Sequence, residues 1–278
     1  SEAEFHDAFG WRIGEEGAGV STIIEMVTHC RLDCAVSSAA LMRSALANAV
    51  HHAEHRHVGG RALIGEAVMQ HVLADLALDV EAAVALSFRL ARAFDRAKDQ
   101  RAAAWRRLMT PVTKYFVCKI APAMVAEAME CLGGNGYVED WPLARIYREV
   151  PVNAIWEGSG NVMALDVLRV LQREPEVAEF VTEELRGASA GDPQLKAAFD
   201  RLEAVLYEPR MLDQRARMLV EALGRLAAAT ILKAQAPAFV ADAYVATRIA
   251  GGARQTYGQG LDKADLKAIL ARATPNRG

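Results

Sequence analysis

From Arg31 to His57 the chain reads RLDCAVSSAALMRSALANAVHHAEHRH. Ala, Leu, Met and Ser dominate, and neither Gly nor Pro interrupts the run. Leu32, Val36, Ala39, Ala40 and Met42 keep the i, i+3, i+4 spacing of an amphipathic helix. Gly59-Gly60 ends it. Outward from there, residues 66–99 repeat the pattern. Val68, Val72, Leu73, Leu76, Val80 and Val84 form an apolar stripe, and Arg92, Arg96 and Lys98 suit the negative end of the helix dipole. A third helix is expected over 112–132. Pro111 suits its first turn, Pro122 implies a kink or break, and Gly133-Gly134 stop it. A turn-rich connector (135–143), a short segment (144–150) and a helix over 160–173 come next. Further helices are expected at 176–186, 193–206, 210–234, 237–250 and 262–272, with breaks at 187–191 and Gly251-Gly252. Residues 1–24 differ: Gly10, Gly14, Gly17 and Gly19 read as turns and short extended pieces. No strand ladder is expected after residue 30. The fold class is therefore all-α, a helical bundle with a C-terminal helical extension.

The composition agrees. The chain has 278 residues, 52% hydrophobic and 24% charged, enough to bury a real core and too apolar for a disordered chain. A net charge of −3 excludes a polycation built to coat nucleic acid. No uninterrupted apolar run reaches the length of a membrane span, and no signal peptide is visible, so no membrane partner is expected. Cys30, Cys34, Cys118 and Cys131 show no CxxC spacing, which argues against a disulfide scaffold or zinc ribbon and suits a reducing cytoplasm.

Chemistry concentrates in residues 130–170. Leu132-Gly133-Gly134-Asn135-Gly136-Tyr137 closes a long helix, and glycine there permits positive φ and close approach of backbone to a ligand. From the glycines alone a plain helix C-cap is the stronger reading. Trp156-Glu157-Gly158-Ser159-Gly160-Asn161 precedes an apolar helix. A carboxylate held among apolar groups has a raised pKa, which suits a general base. Ser159 and Asn161 are candidate caps for the helix that follows, whose first-turn N–H groups favour anions. An N-cap loop with a solvated Glu157 accounts for the same residues.

The run GGNGY, then R-x-Y-R-E-x-P-V-N-x-I-W-E-G-S-G-N-x-x-x-L-D-V-L-R (residues 145–169), resembles the C-terminal domain of acyl-CoA dehydrogenases. It is most similar to their AidB-like branch, the adaptive-response flavoproteins related to isovaleryl-CoA dehydrogenase. The resemblance runs by order of motifs through residues 10–172 and loosely into the helical tail. It implies three parts: the end of a middle β-domain and a linker (1–28, beginning with Phe9-Gly10-Trp11-Arg12-Ile13-Gly14-Glu15-Glu16-Gly17), the helical domain (29–173) and the helical extension (174–278). An N-terminal helical domain and most of a β-domain are then expected outside this chain. The implied activity is FAD-dependent dehydrogenation of a short or branched acyl-CoA. Glu157 matches the base that removes the α-proton while the β-hydride goes to flavin N5. Ser159 and Asn161 match FAD contacts, and Gly133 and Gly134 match glycines along the adenine-diphosphate part. Arg56 matches an arginine that reaches the FAD pyrophosphate of a neighbouring subunit; a charge at a helix C-terminus explains it too. The chain departs from the family at Gly59 (Phe expected), Ala67 and Glu130 (Gln in many members). A homo-oligomer, a tetramer by resemblance, is implied.

The AidB-like branch also implies binding of double-stranded DNA through the helical tail. Residues 209–278 carry a net +6, with Arg210, Arg217 and Arg225 near one side at helical spacing. A solvated surface explains these charges as well, and no recognition helix is apparent. His51 and His55 have i, i+4 spacing, yet a solvated polar face is the better reading of the histidines, so no metal is expected.

Overall fold

The structure, a computed structural model, describes residues 3–96, 98–206, 212–251 and 256–274. Three long helices make the framework: α1 (Gly19–His55), α2 (Ala67–Asp95) and α3 (Gln100–Glu130). A two-residue hairpin, β1 (His57–Val58) with β2 (Arg61–Ala62), and a 3-10 turn (Leu63–Gly65) join α1 to α2. After α3 come α4 (Gly134–Tyr137), α5 (Pro142–Asn153) and α6 (Gly160–Arg173). The extension comprises α7 (Pro175–Ser189), α8 (Pro193–Leu206), α9 (Leu212–Gln235), α10 (Ala238–Tyr244) running into a π-helical turn (Val245–Ile249), and α11 (Leu266–Ala273). The all-α class stands.

α3 is the axle. It packs against α1, α2, α4, α5, α6, α7 and α9, so every residue from Leu108 to Cys118 is buried. That enclosure explains two departures from the sequence reading. α3 begins at Gln100 rather than near 112, capped by the Asp99 carboxylate, which accepts the Ala102 N–H at 3.0 Å. Pro111 and Pro122 lie inside it without ending it. Each costs about 3 kcal/mol in an isolated helix, and packing on all sides outweighs the loss. The other departures are local. Gly19–Ile24 belongs to α1 rather than to extended pieces. Its buried face is Cys34, Ala35, Ser38, Ala39, Met42, Ala45, Leu46, Ala49, Val50 and Ala53, with Val36 and Ala40 outside. The connector after Gly133 contains α4 and the start of α5, whose Pro142 stands at the first turn. α7 runs through Gly187 to Ser189. The hairpin at 57–62 is a strand ladder where none was expected, turned by Gly59 and Gly60 at φ +58° and +83°. Residues 3–18 carry no strand.

Charges knit the layers. The Asp166 carboxylate of α6 accepts from Arg31 of α1 at 2.7 Å and lies 3.3 Å from Arg107 of α3, which also pairs with Glu174 at 2.8 Å. The extension lies along α2 and α3. Arg89 of α2 bonds Glu184 of α7 at 2.8 Å and stacks on Trp105 of α3, 4.2 Å from the ring centroid. Arg248, buried, pairs with Asp75 (2.6 Å) and Asp79 (2.8 Å) of α2. No helix among the described residues is long and apolar enough to cross a membrane.

Candidate functional site

The loop between α5 and α6 holds Glu157 in the left-handed region, at φ +57°. A residue with a Cβ pays roughly 1–2 kcal/mol there, so neighbours must hold it. Three side-chain bonds to backbone carbonyls do so. The Lys114 ammonium, buried at the middle of α3, donates to the carbonyl oxygens of Trp156 (2.6 Å) and Gly158 (2.5 Å). Arg31 Nε donates to the carbonyl of Glu157 at 3.1 Å. Gly158, at φ +111°, has Met163 Cε 2.6 Å from where a Cβ would stand, so the turn requires glycine. Trp156 Nε1 donates to Asn153 Oδ1 at 3.1 Å. The result is a rigid turn whose carboxylate-bearing residue is half-buried between exposed Trp156 and Ser159.

The surroundings respond to that carboxylate. Burial pushes the Lys114 pKa down, with Cys34, Cys118 and Glu157 pulling it back up and Arg31 adding to the drop. Cys30 is pushed up, by burial first and then by the Glu157 charge. Cys118, donating to the Cys34 carbonyl at 3.5 Å, is pushed up to about 11 by burial. Such shifts disfavour the thiolate form of both cysteines.

Ser159 occupies the N-cap of α6, but its side chain makes no capping bond. Asn161 does not cap either. Its Oδ1 accepts from Arg217 of α9 at 2.9 Å, and that guanidinium lies 5.6 Å from the centroid of the Tyr115 ring. Lys119 of α3 crosses the first turn of α6, its Cε 2.8 Å from where a Cβ on Gly160 would stand. Glu157, Ser159 and Asn161 therefore share one loop, and Arg217 joins them from the extension. Arg225 sits apart, bonded to Glu221 one turn away; Arg210 lies outside the described residues. Gly133 (φ +59°) is the N-cap of α4, and Gly134 opens that helix. Arg56 caps α1 through its N–H to the His52 carbonyl at 2.8 Å. It lines a cavity of about 250 Å3 with Leu132 and Asn135, flanking the two glycines.

Sequence reasoning missed Lys114, Arg31 and Asp166. Lys114 had a signal: it is the one charge inside the apolar stretch 108–118.

Residues 17–172 match the family model described as the C-terminal domain of acyl-CoA dehydrogenase. The chain belongs to the acyl-CoA dehydrogenase family. Among curated relatives, the putative acyl-CoA dehydrogenase AidB of Escherichia coli (strain K12) is 49% identical over 208 residues, covering 75% of this chain and 38% of that protein. Acyl-CoA dehydrogenase family member 11 of Caenorhabditis elegans is 32% identical over 213 residues, covering 74% and 34%. The crystal structure of C. elegans ACDH-11 in complex with C11-CoA superposes with a TM-score of 0.75 at 28% identity, covering 87% of this chain and 46% of that one. That coverage exceeds the family-model match, so the likeness reaches into the helical extension. The chain spans less than half the length of each of these acyl-CoA dehydrogenases.

Proposed function

We propose that this chain is the C-terminal helical part of an FAD-dependent flavoprotein that dehydrogenates a short or branched acyl-CoA, with Glu157 as the base. The observation that carries the reading is the anchored turn: Glu157 is held at φ +57° by Lys114 and Arg31, through carbonyls on both sides of it. Strain maintained by buried anchors is characteristic of a placed functional group. The glycines fit a flat, charged cofactor. Nothing lies within 4 Å of where a Cβ on Gly133 or Gly134 would stand, so the backbone there is open to contact. At α6 the Ser159 hydroxyl makes no capping bond, which leaves first-turn N–H groups and the hydroxyl for an anion such as a diphosphate. Arg56 supplies a guanidinium for a phosphate of a neighbouring subunit's cofactor.

When bound, FAD supplies the acceptor for the β-hydrogen and its electron pair. Glu157 takes the α-proton onto its carboxylate, and the electrons of that C–H bond become the new double bond. Ser159, Asn161 and the two glycines align the cofactor. Arg217 holds Asn161 in place from α9. The E. coli and C. elegans relatives, one of them crystallised with C11-CoA, support an acyl-CoA ligand.

The proposed organisation is the end of a middle β-domain and a linker that runs into the first turns of α1 (1–28), the helical domain (29–173) and the extension (174–278), assembled as a homotetramer. Exposed Val20, Ile23, Ile24 and Met26 give the first turns of α1 an apolar surface that suits a neighbouring domain or subunit. Double-stranded DNA on residues 209–278 is the second reading, and it has less support: Arg217 and Arg225 each bond within the chain.

The test is anaerobic addition of acyl-CoA to the full-length protein, followed by flavin absorbance. Bleaching is expected, as is its loss in Glu157→Gln with flavin retained. A Glu157→Gln protein that bleaches at the unaltered rate overturns the assignment.

A further inference from the structure

The last turn of α1 holds a cluster that the flavin chemistry does not use. His51, Glu54 and His55 each offer one ligand atom, and the three atoms lie within 4.8 Å of one another. The helix supplies the arrangement, because residues at i, i+3 and i+4 share a face. The two imidazoles lie with centroids 4.2 Å apart. His55 Nδ1 is 2.7 Å from the carbonyl oxygen of His51. A carbonyl only accepts, so in the neutral ring that nitrogen carries the proton and Nε2 keeps its lone pair. Metal-bound imidazoles are oriented by such a bond on the other nitrogen.

The surroundings favour a cation. The cluster lies at the C-terminus of a 37-residue helix, the negative end of its dipole. His51 and His55 also line the cavity shared with Asn48, Asn135 and Trp141. The Arg56 guanidinium on the same rim opposes a cation, and the Glu54 carboxylate supplies the compensating charge.

We propose that His51, Glu54 and His55 bind a divalent first-row transition ion of the zinc type, with an open coordination position toward the cavity. Two imidazoles and one carboxylate select such an ion over Mg2+ and Ca2+, which take oxygen ligands. Bonds of about 2.0–2.2 Å put ligand atoms roughly 3–3.5 Å apart in a tetrahedral site. The side chains therefore close by about 1–2 Å on binding. His51 is exposed and Glu54 half-buried, so rotamer changes of those two suffice while His55 keeps its bond to the backbone. The sequence spacing alone favoured a solvated face; the third ligand and the His55 bond to the backbone change that balance. The three ligands all lie on α1, but the open position faces the cavity in which the flavin reading places Arg56 against a neighbouring subunit's cofactor, so metal uptake and flavin bleaching are read separately.

Titration of the full chain with Co2+, read by its ligand-field absorption and by competition with Zn2+, tests it. One Co2+ per chain is expected, displaced by Zn2+ and showing no thiolate charge-transfer band. His51→Ala, Glu54→Gln and His55→Ala each weaken binding by at least about 10-fold, the low end of what even outer partners of metal ligands command. His57→Ala leaves it unchanged. Alanine at an exposed helix position preserves the fold, and unchanged far-UV circular dichroism checks this. Absence of stoichiometric uptake, equal affinity across the variants, or a thiolate band overturns the proposal.

Discussion

Replacing Lys114 by methionine keeps the side chain's length and removes its charge. In the native turn Nζ donates to two carbonyls, at 2.6 and 2.5 Å, from a residue only 1% exposed. Hydrogen bonds from a charged donor contribute about 1.5–3 kcal/mol each, so the pair anchors the turn by roughly 3–6 kcal/mol. Against that stands the desolvation of a buried ammonium, several kcal/mol, which methionine avoids. The same desolvation pushes the Lys114 pKa down. The two contributions largely offset, and overall stability falls by about 0–2 kcal/mol. At about 2–4 °C per kcal/mol, Tm drops by no more than roughly 8 °C. The local effect is larger. Once the anchor is gone, Glu157 leaves φ +57° to recover about 1–2 kcal/mol of strain. The placed conformer then becomes about 5–30-fold rarer. The assay is the rate of anaerobic flavin reduction by acyl-CoA in the full-length protein, beside a thermal melt of the same sample. The expected result is a rate about 5–30-fold lower with a modest Tm change. A Lys114→Met protein that reduces its flavin at the unaltered rate refutes the reasoning.

Three further outcomes are expected. Asp192 caps α8, accepting from the N–H groups of Gln194 (2.9 Å) and Leu195 (3.2 Å), and pairs with Lys233 at 2.8 Å; Asp192→Ala costs about 1–2 kcal/mol in urea unfolding. The Lys233 hydrogen bond chiefly holds the Asp192 pKa below its ordinary 3.8, so this stability is full above that value and is lost as pH falls through the folded-state pKa. Lys233→Met accordingly flattens the acid limb of the stability curve. Gly136→Ala puts a Cβ 2.0 Å from the Met129 carbonyl oxygen, a clash with backbone that lowers the stability measured by urea unfolding by at least about 1–3 kcal/mol. Arg248→Met leaves Asp75 and Asp79 buried without their cation, costing about 3–5 kcal/mol, part of which Asp75→Asn and Asp79→Asn restore in the same background.

Where terminators and caps are local, the sequence was enough. α6 (Gly160–Arg173) and α8 (Pro193–Leu206) start and end where Gly160, Pro193 and the breaks around them say. α3 was harder. Its first turns carry Arg101, Arg106 and Arg107, and Pro111 invited a start that Asp99 in fact provides. A proline inside a helix is tolerated only because seven other helices pack on α3, and that is tertiary information. The site divides in the same way. The Trp156–Asn161 loop was legible because its chemistry is contiguous. Its anchors were not: Lys114 lies 42 residues from Trp156 in sequence, and Arg31 lies 126 from Glu157. The cap expected from Asn161 failed because α6 starts at Gly160, which puts Asn161 inside the first turn, where Arg217, far along the chain, donates to its side-chain oxygen.

Asp75 and Asp79 of α2 both pair with Arg248 of the extension, and Asp75 also accepts the Gly258 N–H from it. The extension and α2 are therefore bound together in heredity as well as in space. A chain that lost the extension would keep both carboxylates on α2 without the Arg248 guanidinium, and replacing them would be needed to recover what that pairing supplies. Exposed residues of α7 to α11 that bond nothing outside the extension carry no such burden. Discarding the extension therefore costs more than altering its surface.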